Sequence, residues 1–281
     1  MVMRSRKAFV HVFQSKVVSS VNLIVGTLRF GLMAIAVLGL IAGCASRKTD
    51  SKLQAYLELA TSFFSDHQYP ECIGATERAS ELEPANLAAK NLRGLCLLGI
   101  DKFSEAEKLL TEVCSSVPSA DCFNNLAAVH EKSKNPKKCV EMTHKALAVN
   151  SYTQPENALS NQALCQIQLR DLASAQNSID EAKKKAPQNC TIRLLSAKIM
   201  ILRGALDDAV RESENATSLC PALPKSHFWE AYTLYKNGRK TDAYKKYSFI
   251  VEQFRKGEFV EQSKINLEML ENHIPIPEPK Q

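Results

Sequence analysis

The sequence lacks the short motifs on which most catalytic and metal sites depend. It contains no HExxH or GxSxG segment and no glycine-rich phosphate loop. No two cysteines have CxxC spacing, and no cysteine–histidine spacing fits a structural zinc site. His227 lies beside Phe228-Trp229-Glu230, but that spacing favours helix packing over chemistry. We therefore predict that the chain is not an enzyme and binds no metal or other cofactor.

An excess of basic charge is also missing once residues 1–43 are set aside. Those residues contain five basic and no acidic side chains, so the formal net charge of +6 for the whole chain becomes +1 for the remainder. Nucleic-acid-binding domains usually carry a strongly basic face. We therefore expect no nucleic acid among the partners of this chain.

A long apolar run is absent too, because the run at 30–43 has only about 14 residues, too few to span a bilayer comfortably as a helix. Basic residues precede it and small residues end it, which is the pattern of an export signal. We therefore predict that residues 1–43 are a signal peptide.

The end of this run, Ile41-Ala42-Gly43-Cys44, resembles the bacterial lipobox. In that family of sequences the cysteine becomes the first mature residue and carries acyl chains. The resemblance implies lipidation of Cys44, and the alanine at Ala45 implies sorting to the outer membrane, with the body of the protein facing the periplasm. Residues 44–52 would then be a lipidated polar tether that holds the body close to its membrane. An ordinary signal peptide without lipid, or a membrane anchor that begins near Val21, is the alternative.

Small residues recur at a nearly constant interval through the rest of the chain. Two series share the spacings 34, 33, 36, 34 and 34. The first series is Ala60, Gly94, Ala127, Ala163, Ala197 and Ala231. The second is Cys72, Ala106, Cys139, Ala175, Ala209 and Ala243. A third series is small except for Val113 and Ile250: Ala79, Val113, Ala146, Ala182, Ala216 and Ile250.

This pattern resembles the tetratricopeptide repeat (TPR), a helix-turn-helix unit of 34 residues. It predicts an all-α, right-handed superhelical solenoid, since one helix pair cannot bury its apolar face alone but stacked pairs share a core. The six predicted repeats are 53–86, 87–119, 120–155, 156–189, 190–223 and 224–257. A capping helix at 258–273 and an extended, proline-rich tail at 274–281 complete the chain. An unrelated helical bundle is the alternative.

Local patterns predict where the helices are joined. Turn residues occur at Asp101-Lys102, Asn135-Pro136, Arg170-Asp171, Gly204 and Asn237-Gly238. Ser104 and Glu107 have the spacing of a capping box, which predicts a helix start at Ser104.

Eight cysteines besides Cys44 lie in the predicted repeats, and an exported chain can form disulfides. Their positions suggest two pairs at helix ends and two pairs between adjacent layers. The end pairs are Cys114 with Cys122 and Cys190 with Cys220. The interlayer pairs are Cys72 with Cys96 and Cys139 with Cys165. Buried free thiols that replace alanine are the alternative.

In TPR proteins the first helices of the repeats line a concave groove, and the matching positions here are unusually apolar. The resemblance implies partner-binding residues at Leu57, Phe64, Asn91, Leu95, Leu98, Asn124, Leu164 and Ile167. Asn91 and Asn124 lie where TPR proteins hold the backbone of a bound peptide. Such a groove suits an extended peptide or an amphipathic helix. Burial of several of these side chains by superhelical curvature or by the capping helix is the alternative.

A lipobox, a short tether and six repeats together resemble the pilotin family of type IV pilus systems. That resemblance implies a non-enzymatic, outer-membrane-anchored scaffold that helps a secretin subunit to assemble. Two alternatives stay open, because the repeats specify a fold better than a function. One is an envelope adaptor for peptidoglycan enzymes or β-barrel assembly, and the other is a regulatory or chaperone subunit of an exported protease.

Overall fold

The computed structural model describes residues 50–279, which form thirteen helices and no strand. The predicted signal peptide, Cys44 and most of the tether lie outside the described residues. The first helix, α1, covers 50–65 in the described chain. The others are α2 (Tyr69–Leu82), α3 (Leu87–Gly99), α4 (Phe103–Ser116), α5 (Ala120–Lys132), α6 (Pro136–Leu147), α7 (Pro155–Gln168), α8 (Leu172–Lys185), α9 (Cys190–Leu202), α10 (Leu206–Leu219), α11 (Pro224–Lys236), α12 (Lys240–Gln253) and α13 (Glu258–Glu271).

The predicted all-α fold class is confirmed, with two helices for each predicted repeat and α13 after the last, although α7 begins at Pro155, one residue before the predicted start of its repeat. Within residues 50–279, none of the helices combines the length and apolarity that crossing a bilayer requires. Two expectations fail locally. Residues 50–52, assigned to the tether, already belong to α1. Helix α4 begins at Phe103, without a side-chain cap at Lys102, so the capping box expected at Ser104 is absent.

A capping box does form one repeat later, at the start of α5. The Ser119 hydroxyl accepts a hydrogen bond from the Cys122 N–H, and the Ser119 N–H donates to the Cys122 sulfur. The sequence pattern for this motif specifies Glu or Gln at the position that Cys122 fills. The prediction of a capping box at Ser104 was wrong because α4 begins at Phe103, so Ser104 already lies within the helix and cannot be its N-cap.

The chain divides into two compact units, and the boundary falls within α3. The described part of the first unit contains α1, α2 and the first turn of α3. Ala60 on α1 and Cys72 and Ala79 on α2 are completely inaccessible to solvent. The rings of Phe64 and Tyr69 pack at its turn, with centroids 6.1 Å apart.

The second unit, from Lys90 onward, is a stack of antiparallel helix pairs. The first helices of successive pairs (α5, α7, α9, α11 and α13) contact one another in turn. The second helix of each pair, such as α6, contacts the first helix of its own pair (α5) and the first helix of the following pair (α7). Within the described stack no two second helices contact each other. The first helices are therefore closer together and form the inner, concave face of the stack.

The small residues of the repeat lie where helices come closest. All residues of the three spaced series are buried, and most are completely inaccessible to solvent. An alanine or glycine at such a position lets two backbones approach, and the larger side chains beside it fill the remaining space. Leu110, for example, is fully buried opposite Gly94.

Every turn between the two helices of a repeat contains one residue with positive φ. These residues are His67, Asp101, Lys134, Arg170, Gly204 and Gly238. The next N–H then bonds back to a carbonyl of the first helix, as Lys102 does to Leu97 at 2.9 Å. This bond satisfies a carbonyl that the helix end would leave without a partner. His273 repeats the geometry after α13, where the Ile274 N–H bonds to the Met269 carbonyl at 2.8 Å.

Three disulfides join helices of the second unit, and they are the pairs expected from the repeat positions. Cys114–Cys122 connects α4 to α5, and Cys139–Cys165 connects α6 to α7. Cys190–Cys220 closes the open end of the α9–α10 hairpin, with Cα atoms 6.1 Å apart. Cys72 and Cys96 are each disulfide-bonded as well.

Candidate functional site

A cavity of about 270 Å³ opens on the concave face of the second unit. Its wall is mainly apolar and comes from α3, α5, α7, α9 and α11. The lining residues are Leu98, Ala128, Glu131, Lys132, Asn161, Leu164, Thr191, Leu194, Leu195, Lys198, Lys225 and Trp229. A concave apolar surface with a few polar groups is the usual form of a binding site.

Amide side chains join the first helices beside this cavity. The Asn125 side chain donates to Asn91 Oδ1 at 3.0 Å, and the Asn161 side chain donates to Asn124 Oδ1 at 2.9 Å. Gln168 donates to the carboxylate of the buried Glu131 at 2.7 Å. The bonds to Asn91 and Asn124 use their oxygens, so the NH₂ groups of both side chains can donate to a bound peptide carbonyl.

Positive charge dominates the ionisable groups of the cavity. Three lysines line it against one glutamate, Glu131. Burial, followed by the nearby charge of Lys132, lowers the pKa of Lys225, and Glu258 opposes this shift. Within the described chain neither Lys132 nor Lys225 forms an ion pair, whereas Lys198 pairs with Glu278 at 3.1 Å. A carboxylate that entered the cavity would therefore be attracted to Lys225 and Lys132.

Only part of the predicted groove lines this cavity. Leu98 and Leu164 do so, and both are half-buried. Leu95, Ile167, Asn91 and Asn124 belong to the same unit and are half-buried outside the cavity wall. Leu57 and Phe64 belong to the first unit, where they are also half-buried.

Several lining residues that the sequence did not predict take a regular position in the repeat. Asn161, Leu195 and Trp229 are 34 residues apart and take position 6 of the last three repeats, counted from the predicted repeat starts. Thr191 and Lys225, also 34 apart, take position 2 of the last two repeats. The repeat period could have found both sets, since a helix of one repeat presents the same face as the matching helix of the next.

Burial by neighbouring elements, the alternative that the sequence left open, occurs at the C-terminal end of the concave face. Phe228 is 1% exposed because its ring packs against Tyr247 and Phe259, at centroid distances of 5.5 and 5.3 Å. Tyr232 is also buried there. Burial, with a smaller effect from Glu278, raises the pKa of Tyr232 to about 12.

The proline-rich tail lies on this end of the concave face. The Ile276 side chain is 6% exposed and belongs to the same apolar core as Phe228 and Trp229. Its N–H donates to the Tyr235 hydroxyl on α11 at 3.1 Å. Glu278 then reaches Lys198 on α9, a residue that also lines the open cavity. The sequence predicted an extended tail but not its contacts.

No protein-family model and no curated protein sequence matches this chain. Solved structures do match it, at sequence identities that establish the fold alone. PilW, a widely conserved type IV pilus biogenesis factor, has a TM-score of 0.63 at 20% identity, and the match covers 74% of this chain and 96% of PilW. This protein has a TPR fold.

Two further TPR-fold structures match over similar lengths. PilF of Pseudomonas aeruginosa has a TM-score of 0.59 at 12% identity, over 78% of this chain and 99% of PilF. A tetratricopeptide repeat protein from Parabacteroides merdae has a TM-score of 0.59 at 17% identity, over 79% of this chain and 88% of that one. At these identities the three likenesses establish the TPR fold of this chain and no more.

The chemistry of the described cavity suits binding of a polypeptide and does not provide a set of metal ligands. Within residues 50–279, no cluster of three His, Cys, Asp or Glu side chains could hold a metal ion. The cavity has a mainly apolar wall and the ammonium groups of Lys132 and Lys225, which form no ion pair within the described residues. Those features suit a polypeptide segment that carries a carboxylate.

Proposed function

We propose that this TPR protein is a pilotin, a lipid-anchored scaffold that binds a secretin segment on its concave face and assists secretin assembly in type IV pilus biogenesis. The cavity lined by Leu98, Leu164 and Trp229 carries the proposal, because an open apolar surface of this kind marks a partner site. The likeness in fold to PilW and PilF, over nearly their whole length, supports the choice of pilus biogenesis.

In this proposal the lipid on Cys44 holds the scaffold at the outer membrane, with the repeats in the periplasm. The segment of the partner lies in the cavity, where its apolar side chains cover Leu164 and Leu194. A carboxylate of the segment pairs with Lys225 and Lys132, which have no other ion-pair partner in the described chain. Charge pairing at such a site contributes more to specificity and association rate than to affinity.

The test is capture of the full chain from detergent-solubilised outer membranes with an antibody, which leaves both chain ends unaltered. Wild type should recover a secretin, and Leu98→Asp should lose it because the new carboxylate is placed on the apolar wall of the cavity. Ile265→Asp is the matched control, since Ile265 is 50% exposed on α13 and lies outside the cavity. It should recover as much secretin as wild type does.

Lys225→Glu provides a second test that leaves the apolar wall intact. It should weaken secretin capture most at low salt, because screening reduces the charge effect as salt rises. Recovery of peptidoglycan enzymes, β-barrel assembly components or a protease in place of the secretin would refute the pilotin assignment. Equal capture by wild type and Leu98→Asp would remove the cavity from the proposal.

A further inference from the structure

The tail residues Ile274 to Pro279 lie on the concave face like a bound peptide. Ile276 and Glu278 are two residues apart and contact two different first helices: the Ile276 N–H bonds to Tyr235 on α11, and the Glu278 carboxylate pairs with Lys198 on α9. Both reach the concave face, whereas Pro275, which precedes Ile276, and Pro277, which lies between Ile276 and Glu278, are exposed.

The prolines make the tail suited to this mode of contact. A proline has no N–H and restricts φ, so the segment is stiff and cannot pair as a strand on its own. The N–H of Ile276 is one of the few donors left in the segment, and it is used by the Tyr235 hydroxyl. Preformed extended segments of this type bind with a small loss of conformational entropy.

The attachment is limited to a few contacts, so another chain could replace it. Ile276 provides the one deeply buried side chain among the described tail residues, and the side chain of Glu278 is 54% exposed. Lys198 is 8% exposed and also contacts the ring of Trp229, with its Nζ 6.0 Å from the ring centroid. Lys198 and Trp229 both line the open cavity, so the tail reaches the point where the cavity begins.

We propose that the tail is an internal ligand that occupies one end of the partner site. The partner segment is then an extended, proline-containing stretch with an apolar residue two positions before a carboxylate. It displaces the tail, places its apolar side chain where Ile276 lies and its carboxylate on Lys198, and continues into the cavity toward Lys225. This inference rests on the proposed function, since it specifies the chemistry of the segment that the scaffold binds.

The test uses a fluorescein-labelled peptide with the sequence of residues 273–281 and the full chain in detergent. A tail-released chain carries Ile276→Asp and Glu278→Lys, which remove the apolar contact and reverse the charge. The peptide should bind the tail-released chain at least tenfold more tightly than wild type, because the attached tail competes at a high effective concentration. A peptide with the same two substitutions should not bind either chain.

Lys198→Glu, added to the tail-released chain, tests the ion pair itself. This chain should no longer bind the peptide with the unaltered sequence of residues 273–281. It should bind a peptide in which Glu278→Lys is the single change. Circular dichroism verifies that each variant is folded. If the double tail variant fails that check, Glu278→Lys alone replaces it and should still bind the original peptide more tightly than wild type does.

Equal peptide affinity of wild type and the tail-released chain would overturn the inference. A peptide affinity that Lys198→Glu leaves unchanged would overturn it as well. A wild-type dimer that the peptide dissociates would also overturn it, by showing that the tail serves a second copy of the chain. The proposed function fails separately: secretin capture without peptide binding refutes only the internal ligand, and peptide binding without secretin capture refutes only the pilotin role.

Discussion

The N–H of Ile276 donates a hydrogen bond to the hydroxyl of Tyr235, 41 residues earlier in the chain, at 3.1 Å. This bond and the buried Ile276 side chain attach the tail to the helix stack. Two isoleucines of the tail differ sharply in burial, since Ile276 is 6% exposed and Ile274 is 49% exposed. They form a matched pair for measuring what the attachment contributes.

We expect Ile276→Ala to lower the free energy of unfolding by about 2 kcal/mol, because three buried carbon atoms are lost at roughly 0.8 kcal/mol each. Ile274→Ala should change it by less than about 0.5 kcal/mol, as substitutions at exposed sites do. Urea unfolding of the two variants measures the difference. Equal effects would mean that the tail is not attached in solution.

Two helical glycines should respond in opposite directions to alanine. A Cβ added to Gly94 would lie 2.8 Å from Cγ of the buried Leu110, so Gly94→Ala should destabilise the fold by roughly 1–3 kcal/mol. Gly74 lies within α2 with nothing within 4 Å of the added Cβ, so Gly74→Ala should stabilise by roughly 0.5–1 kcal/mol. Thermal or urea unfolding gives both signs, and a stable Gly94→Ala variant would contradict the close helix approach.

The Cys190–Cys220 disulfide should stabilise the α9–α10 hairpin, whose first helix contributes Leu194 and Lys198 to the cavity wall. Replacing both residues by serine should lower the free energy of unfolding by roughly 2–4 kcal/mol, since a link over 30 residues restricts the unfolded chain. Non-reducing peptide mapping should find the two cysteines in one cross-linked fragment. Eight free thiols besides Cys44 in the exported chain would contradict the disulfide assignment.

His130 should make stability depend on pH. Burial lowers its pKa below the ordinary 6.5, and the nearby Glu107 and Glu141 oppose this more weakly than burial favours it. The folded chain thus keeps the imidazole neutral while the unfolded chain takes up a proton as the pH falls below 6.5. The free energy of unfolding should therefore decrease from pH 7 toward pH 5.

His130→Gln should reduce this decrease, because the group that titrates differently in the two states is gone. The exposed Val117 after α4 supplies the control variant, Val117→Ala, whose pH profile should follow that of wild type because neither side chain titrates. Urea unfolding at half-unit pH steps measures the slopes. Parallel profiles for His130→Gln and wild type would show that His130 does not carry the effect.

Cys44 lies outside the described residues, and its lipidation is a prediction from the sequence. Cys44→Ser should abolish incorporation of radiolabelled palmitate and move the chain from the membrane to the soluble fraction, since the acyl chains supply the anchoring. The Cys190→Ser/Cys220→Ser chain should keep its label and its membrane association. An unlabelled wild-type chain would favour the ordinary signal peptide or the anchor near Val21.

Sequence alone determined the repeating helix pairs, because the spacing of small residues follows from how closely two helices must pack. The alanines at Ala127, Ala163 and Ala197 are buried for that reason. It also indicated which cysteines meet, since a fixed position in a repeat has a fixed neighbour in the next one. The Cys139–Cys165 disulfide follows this rule between neighbouring repeats, whereas Cys190–Cys220 joins the two ends of one repeat.

Only the tertiary structure decided which part of the concave face is open. Leu98 and Leu164 line a cavity while Phe228 is covered by Phe259, although all three belong to first helices. The pairing of Lys198 with Glu278 could not be predicted either. Repeat periodicity predicts contacts between neighbouring helices of the stack. The burial of Phe228 and the Lys198–Glu278 pair depend instead on where the capping helix and the tail pack, and neither segment continues the repeat.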